Sequence, residues 1–317
     1  MPHLSSPPSV LAARQRRERL TRRGLFFLTV FPPLLVVVMA AVLLGRAWPI
    51  LGQNSLWALM SGRVWKPVAG QFGFLPFLSG TLWVTLAALV LAVPPSLLTA
   101  IYLAEYARPP TRAFMKPVLD LLAAIPSVVY GVWGVIAIVP WVQHTLAPFC
   151  RRAFGFLPLF RSENPTGFSI MAGAIVLAVM VAPFIIAVTY EVFRAVPEGM
   201  RQASLAVGAT RWQTIRHVVL PKTLAGVLAG IVLGLSRALG ETMAVLMVVG
   251  NVVQVPRSLF DAAYPLPALI ANNYGEMMSI PLYDAALMTA ALILLVIVLM
   301  FNVAATLVLR RMKARSQ

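Results

Sequence analysis

The sequence predicts an all-α membrane protein with six transmembrane helices, and three observations support this fold class. Of the 317 residues, 60% are hydrophobic and only 11% are charged, and the mean hydropathy is +0.84. Apolar runs of about 20 residues, enough to cross a bilayer core of ~30 Å, recur along the chain. Basic residues collect in the two tails and in alternate loops, which is typical of membrane proteins and unlike the surface of a nucleic-acid-binding protein.

The distribution of lysine and arginine predicts the orientation of the chain. The two tails, the second loop and the fourth loop together hold 18 of the 26 basic residues, and the alternate loops hold 7. By the positive-inside rule, both termini lie in the cytoplasm. The sequence therefore predicts a multi-pass protein of the bacterial cytoplasmic (inner) membrane, surrounded by lipid and without a nucleic-acid partner.

The amino-terminal part contains a basic tail and the first membrane helix. Residues 1–24 carry six arginines against one acid, Glu18, and predict a disordered cytoplasmic tail. Residues 25–45 predict the first transmembrane helix. A cleavable signal peptide is the alternative, because a basic region precedes an apolar run. The run is long and more membrane segments follow, so we interpret it as retained. Residues 46–79 predict an outer segment.

Five further apolar stretches complete the six spans. They are predicted at residues 82–103, 117–142, 168–190, 224–253 and 285–309. Pro126 and Pro140 are expected to kink the third span. The last span contains 25 residues without a charge, enough to cross the bilayer with some tilt. A basic tail, residues 310–317, follows it.

The fifth span is unusual because it contains two charges, Arg237 and Glu241. A charge at the bilayer centre costs on the order of 3 kcal/mol even on lenient insertion scales. On one continuous helix these two residues share a face with three glycines, Gly226, Gly230 and Gly234. Small residues at this spacing let another helix approach closely. The sequence therefore predicts a helix-packing face, with the charges directed at protein or at a water-filled path.

Residues 198–221, directly before the fifth span, predict a cytoplasmic helix–turn–helix. Gly208 suits the end of a first helix, and Thr210 with Gln213 forms a capping box for a second. An apolar stripe at helical spacing runs along the second helix at Ala209, Trp212, Ile215 and Val219. Pro221 is expected to start the membrane helix. The residues alone leave two interpretations open: a lever moved by a partner protein, or an amphipathic segment resting on lipid.

This segment resembles the coupling loop of ABC importer permeases. The family pattern reads Glu-Ala-Ala, three residues, Gly, nine residues, Ile, one residue, Leu-Pro. Its positions fall here on Gln202, Ala203, Ser204, Gly208, Val218, Leu220 and Pro221. The spacing is fully kept, while Gln202, Ser204 and Val218 depart from the pattern. The resemblance implies that ATPase subunits dock here, without the salt bridge that an acid in place of Gln202 would make.

Two further stretches narrow the resemblance to the phosphate importer permeases of the Pst type. They read LLAAIPSVVYGVWG at residues 121–134 and LGLSRALGETMAVLMVVGN at residues 233–251. The phrase RALGETMAV favours the PstC type over the PstA type. The resemblance covers residues 80–309 and implies the type I ABC importer permease architecture. It implies a homologous PstA-type permease that pairs with this chain across the glycine-rich face, with the pathway between them. It also implies two PstB-type ATPase subunits and a periplasmic phosphate-binding protein of the PstS type.

The sequence carries no cofactor site of its own. It lacks the G-x-x-x-x-G-K-[ST] phosphate-binding loop, its single Cys150 excludes an intrachain disulfide, and its three histidines lack metal-ligand spacing. We therefore expect a transport subunit and not an enzyme. The resemblance implies that ATP and Mg²⁺ are bound by the partner ATPase, which hydrolyses the nucleotide.

Arg237 and Glu241 are the predicted substrate-pathway residues. An anionic substrate needs a cation on its path, and in the family that the chain resembles this pair is implicated in moving phosphate. The hypothesis is that Arg237 offers phosphate a positive site while Glu241 limits how tightly it binds. The alternative is an ion pair within one helix that only fixes packing.

Three alternatives remain for the chain as a whole. The first is a permease for another oxyanion, such as sulfate or molybdate, because one arginine does not define a selectivity cage. The second is an ion-coupled secondary transporter, which predicts an internal repeat or broken helices in both halves; no convincing repeat is present. The third is a membrane scaffold or sensor component that does not transport.

Overall fold

The computed structural model describes residues 8–275, 280 and 282–315. Within these residues six helices are long and apolar enough to cross a membrane, which confirms the predicted all-α fold with six spans. These helices are Arg17–Leu51, Leu75–Tyr106, Ser127–Phe154, Ile170–Arg194, Arg211–Leu239 and Tyr283–Met312.

The first helix begins well before the first span. Helix α1 covers Pro8–Leu51, so the prediction of a disordered tail is wrong for residues 8–24, while residues 1–7 lie outside the described part. Alanine, leucine, arginine, glutamine and glutamate dominate residues 11–20, and these are the strong helix formers. A helix that is already nucleated in the apolar span propagates through such a sequence at little cost.

A small folded segment follows at the predicted outer end. It consists of α2 (Leu56–Ser61) and a hairpin of β1 (Trp65–Lys66) and β2 (Gln71–Phe72). The Trp65 ring centre lies 5.0 Å from that of Phe77 and 5.9 Å from that of Tyr283, in edge-on contacts. Such aromatic pairs add to the apolar burial, and they fasten the hairpin to the starts of the second and sixth spans.

The fourth span, α6 (Ile170–Arg194), lies at the centre of the bundle. It packs along α3 (Leu75–Ile101), which ends in a π-helical turn at Tyr102–Tyr106, and along the fifth span. Its side chains Leu177, Met180 and Ile185 are fully buried. A helix that is apolar on all sides is expected to occupy such a position.

The third span is built from two helices, α4 (Pro109–Ala124) and α5 (Ser127–Phe154). The kink predicted at Pro126 is confirmed as a break, because proline disfavours a helical conformation in the residue before it. Pro140 does not end α5, which passes it between two π-helical turns. Lys116 Nζ lies 3.4 Å from Glu191 near one end of α6, and Val139 adjoins Gly167 at the other end. Helices α4 and α5 therefore together run the length of α6, and the third span consists of both.

The fifth span is also interrupted. It follows α7 (Glu198–Ala206) and consists of α8 (Arg211–Leu239) and α9 (Met243–Val248). The prediction of one helix through residues 224–253 is wrong, because α8 ends before Gly240 and glycine is a poor helix former. Pro221 lies in the first turn of the regular α-helix Leu220–Leu239, as expected. A π-helical turn at Ile215–Val219 directly precedes it and joins it to the start of α8.

The sixth span completes the bundle. After α10 (Leu266–Asn273), helix α11 covers Tyr283–Arg315 and packs along α1. Arg46 Nη2 lies 3.5 Å from Asp284 Oδ2, which joins these two helices at the predicted outer end. Of the predicted carboxyl tail, residues 316 and 317 lie outside the described part.

Candidate functional site

Two breaks in membrane helices adjoin one packed helix pair. Helices α5 and α9 approach so closely that a Cβ on Gly131 would lie 3.2 Å from the Cα of Ala244. The break at Pro126 directly precedes α5, and the break at residues 240–242 directly precedes α9. Non-helical backbone at membrane depth is tolerated where it is buried in protein or lines a water-filled path. The two stretches that resemble importer permeases thus meet at an irregular part of the membrane core.

Arg237 lies beside the second break, in the last turn of α8. Its guanidinium carbon is 4.1 Å from the centre of the Phe184 ring, and its side chain is exposed at the surface of this chain. Within the described residues, no ion pair uses Arg237. Stacking on an aromatic ring holds a guanidinium by its flat face and leaves the N–H edge available. Phe184 lies near the middle of α6, so this charge lies about halfway along the fourth span.

Glu241 caps α9 and does not pair with Arg237. Its Oε1 accepts a hydrogen bond from the backbone N–H of Ala244 at 3.2 Å. A carboxylate is favoured at a helix start because the first N–H groups have no partner within the helix. The alternative of an ion pair within one helix is therefore wrong, since the helix ends between the two residues.

The glycine face of α8 packs against α6 of the same chain. The contacts, in antiparallel order, are Gly226 with Val192, Gly230 with Val188 and Gly234 with Ile185. A Cβ on Gly234 would lie only 2.8 Å from Cγ1 of Ile185. The expectation that this face meets a second permease is therefore wrong, because the fourth span already covers it. Periodicity identifies such a face but does not identify its neighbour.

We expect Gly234→Leu to destabilise the bundle by forcing α8 away from α6. Overpacking of a close contact costs about 1–3 kcal/mol, so the melting temperature of the purified protein should fall. Gly45→Leu is the matched control, because a Cβ at Gly45 in α1 meets nothing within 4 Å. Equal melting temperatures of the two variants would contradict the close packing of α8 against α6.

Residues 198–221 form the predicted helix–turn–helix. Gly208 has φ of +89°, a left-handed conformation that side chains disfavour. The backbone N–H of Thr210 donates to Gln213 Oε1 at 2.8 Å, and the N–H of Gln213 donates to Thr210 Oγ1 at 3.2 Å, which confirms the capping box. Because α8 continues from this turn into the fifth span without a break, a movement of the turn is passed to the membrane.

The other positions of the coupling pattern lie on both faces of this segment. Gln202, Ala203 and Pro221 are exposed, whereas Val218 and Leu220 are half-buried. The hydroxyl of Ser204 lies 3.0 Å from that of Thr214. This hydrogen bond joins α7 to α8, so the segment is positioned to move as one unit.

A buried ion pair fastens α7 to two membrane helices. Arg201 Nη2 lies 2.9 Å from Glu105 Oε1, and the two side chains are 12% and 11% exposed. The same guanidinium donates to the carbonyl of Phe193 at 2.7 Å and to the carbonyl of Val196. Glu105 ends the second span, and Phe193 lies in the last turn of the fourth. One arginine therefore links the helix–turn–helix to both spans.

Sequence reasoning missed Arg201, Glu105 and Phe184. Glu105 is the first charge after the second apolar run, and Arg201 lies inside a segment that the sequence already singled out. The sequence signal for this ion pair was an acid at the end of a span together with a base in a neighbouring cytoplasmic segment. Phe184 gives no comparable signal, because phenylalanine is common in apolar spans.

The turn between α7 and α8 exposes an apolar surface, here called the apolar tip: Leu205, Val207 and Trp212. Val207 is 84% exposed and Trp212 is 52% exposed, while Ile215 is 2% exposed. The predicted apolar stripe is therefore buried only in its later half, and Trp212 faces away from the bundle. Exposed apolar patches of this kind mark contact sites.

The predicted outer end carries a wide, positively charged cleft, here called the outer cleft. Its volume is about 1010 Å³, and its arginines are Arg151, Arg152, Arg161 and Arg257. Among the residues that the structure describes, none of the four forms an ion pair. Asp261 in the same cleft accepts hydrogen bonds from Ser162 Oγ at 2.7 Å and from the N–H of Arg257 at 2.9 Å. Glu163 is the other acid of the cleft, so four arginines against two carboxylates leave the cleft with a net positive charge.

Comparisons with known proteins found relatives of nearly the whole chain. A family model described as "Binding-protein-dependent transport system inner membrane component" matches residues 96–314. The phosphate transport system permease protein PstC of Mesorhizobium japonicum is 35% identical over 320 residues, covering 98% of this chain and 97% of that protein. The PstC of Pasteurella multocida is 37% identical over 286 residues, 88% of each chain.

Solved structures share the fold. A bacterial ABC transporter involved in the import of the acidic polysaccharide alginate aligns with a TM-score of 0.59 at 15% identity, covering 94% of this chain and 99% of that chain. The MetNI methionine ABC transporter in an inward-facing conformation aligns with a TM-score of 0.51 at 22% identity, covering 76% and 94%. At these identities the likeness concerns the fold alone.

Proposed function

This chain belongs to the family of binding-protein-dependent transport system inner membrane components, and we propose that it works as the PstC-type permease subunit of an ATP-driven phosphate importer. The observation that carries the proposal is the exposed cation Arg237 at a helix break within a membrane span, in a chain similar to a PstC permease over 98% of its length. The subunit lies in the lipid of the bacterial cytoplasmic membrane with both termini inside. It transports and does not catalyse a reaction.

The translocation pathway lies between this chain and a homologous PstA-type permease. The glycine face of α8 is covered by α6, whereas Arg237 is exposed. The second permease therefore faces Arg237 and closes the path around it. Arg237 provides the positive site for phosphate, while Glu241 holds the start of α9 and keeps the break in shape. A cation that stacks on Phe184 without a carboxylate partner keeps its donors for the anion.

Two PstB-type ATPase subunits, which bind ATP and Mg²⁺, dock on the helix–turn–helix of residues 198–221. The apolar tip supports this docking, because such a surface gains by burial against a partner. ATP-driven closure of the ATPases moves α7 and the start of α8, and the rigid α8 carries that movement to Arg237. This is alternating access by rigid-body motion, with an inward-facing resting state expected.

We expect Val207→Asp to weaken the ATPase contact by placing a charge in an apolar interface. The amount of ATPase that copurifies with the permease pair should fall, and phosphate uptake should fall with it. The matched control is Val68→Asp, a residue that is 90% exposed at the opposite end of the bundle. Undiminished copurification with Val207→Asp would exclude the apolar tip from the interface.

A periplasmic phosphate-binding protein of the PstS type delivers substrate to the outer cleft. Four arginines that lack carboxylate partners favour an acidic docking surface, and complementary charges mainly raise the association rate. We expect Arg151→Glu with Arg152→Glu to slow association of the loaded binding protein with the assembled complex several-fold, and the slowing should shrink at high salt. Equal association rates would exclude the cleft as the docking surface.

The alternatives are separated by the anion and by the energy source. The broken helices expected of a secondary transporter occur in the third and fifth spans, but family membership favours an ATP-driven importer. Sulfate and molybdate importers differ from the proposal in the anion that stimulates ATP hydrolysis by the assembled complex. Uptake of phosphate into vesicles, with and without the ATPase subunits, separates transport from a scaffold role. ATP-dependent uptake of sulfate but not phosphate would overturn the proposal.

A further inference from the structure

A second arginine-rich cavity lies at the predicted cytoplasmic end, between the helix–turn–helix and the membrane helices. Its volume is about 340 Å³, far more than one water molecule needs. Five arginines and two glutamates line it; they are Arg108, Arg112, Arg194, Arg201, Arg211, Glu105 and Glu198. We call it the inner arginine cavity. These side chains come from the ends of the second and fourth spans, the start of α4, α7 and the start of α8.

The two glutamates do not neutralise this cavity. Arg201 lies 2.9 Å from Glu105 and 3.7 Å from Glu198, so one arginine engages both carboxylates. Arg108, Arg194 and Arg211 form no ion pair among the described residues. Three guanidinium groups from three different elements therefore face one cavity without a partner.

Arg112 also lines this cavity, and one of its donors has no partner. Its Nη2 donates to the carbonyl of Ala104 at 3.0 Å, which fixes the side chain in place. Its Nε is buried without an acceptor, although buried donors are normally paired because an unpaired one costs about 1–3 kcal/mol. The positive-inside rule explains basic residues at this end of the bundle. It does not explain why five arginines from several elements line one cavity.

We propose that the inner arginine cavity binds a phosphate group. A tetrahedral oxyanion presents oxygens in several directions, so guanidinium groups from different elements can each take one. The group is either inorganic phosphate released at this end, which rests on the proposed function, or the headgroup of an anionic lipid, which does not. In both cases it ties α7 and the start of α8 to the ends of the second and fourth spans, and so stabilises the assembled state.

The test uses the complete importer complex in nanodiscs of neutral phosphatidylcholine. Inorganic phosphate should raise the melting temperature of the complex relative to sodium chloride of equal ionic strength. Arg108→Gln with Arg194→Gln should reduce this rise, and only the part that comes from phosphate at Arg237 or on the binding protein should remain. The matched control, Arg310→Gln with Arg311→Gln, removes the same charge at the same end but outside the cavity, and it should keep the rise. A further sample uses nanodiscs that contain phosphatidylglycerol. If these raise the melting temperature and added phosphate raises it no further, the occupant of the cavity is the lipid headgroup.

A second measurement on the unaltered complex covers the case in which the double variant does not assemble. Phosphate or phosphatidylglycerol should slow backbone hydrogen exchange in α7 and at residues 102–112, and not in the outer hairpin. The proposal is overturned if neither agent changes the melting temperature or the exchange, or if the double variant responds like the unaltered complex. If the complex takes up no phosphate but phosphatidylglycerol still raises its melting temperature, the proposed function is refuted and the cavity proposal is not. If phosphate uptake is normal but neither phosphate nor phosphatidylglycerol changes the melting temperature or the hydrogen exchange, the cavity proposal is refuted and the proposed function is not.

Discussion

Arg237→Gln is expected to reduce ATP-dependent phosphate uptake by the reconstituted importer to background while leaving the complex assembled. Glutamine keeps a polar, though shorter, side chain and removes the positive charge that α8 carries next to the break. The anion then has no opposite charge where desolvation is most costly. The measurement is uptake of radiolabelled phosphate into liposomes, with assembly checked by copurification of all subunits.

Two matched variants distinguish this role from a general effect of charge or packing. Lys222→Gln removes a charge from the same helix at its predicted cytoplasmic end and should leave uptake nearly unchanged. Glu241→Gln should retain more uptake than Arg237→Gln, because an amide oxygen still accepts the hydrogen bond that caps α9. Normal uptake by Arg237→Gln would remove Arg237 from the pathway. Equal losses in Arg237→Gln and Glu241→Gln would show that transport needs the charge of Glu241 and not only its cap on α9.

The local features of the helix–turn–helix were predictable from sequence, because each depends on a few neighbouring residues. The capping box at Thr210 and Gln213 and the left-handed Gly208 need no information from distant parts of the chain. The number of spans was predictable for a similar reason, since a bilayer core of ~30 Å requires a long apolar run. The break at Pro126 follows from the chemistry of proline itself.

The arrangement around Arg237 was not predictable in the same way. The hydropathy of residues 224–253 does not reveal the break at residues 240–242, so the sequence predicts one continuous helix. On such a helix Glu241 would lie one turn from Arg237 and could pair with it. The sequence identifies the glycine face of α8 but not the helix that packs against it, which is α6. The aromatic support from Phe184 is likewise a tertiary contact. The sequence therefore identified Arg237 as a charge within the fifth span but assigned it the wrong surroundings.

The link between Arg201 and Glu105 spans 96 residues of sequence, and its removal is the second large effect that we expect. Breaking a buried ion pair from one side costs about 3–5 kcal/mol, because a charge is left buried and unpaired. Arg201→Gln should therefore detach α7 from the second and fourth spans. ATP hydrolysis should continue, but loaded binding protein should no longer stimulate it, and phosphate transported per ATP should fall severalfold.

The order of the variants tests which contacts of Arg201 carry the coupling. Glu105→Gln should be milder than Arg201→Gln, since Arg201 keeps the carbonyls of Phe193 and Val196 and the new amide oxygen still accepts. The charge swap, Glu105→Arg with Arg201→Glu, should not restore coupling, because a carboxylate cannot donate to those carbonyls. Lys116→Gln is the control: its pair with Glu191 is 68% and 61% exposed, and exposed pairs contribute little. Full recovery in the swapped variant would mean that charge pairing alone holds α7, and that the carbonyl contacts at the end of the fourth span are dispensable.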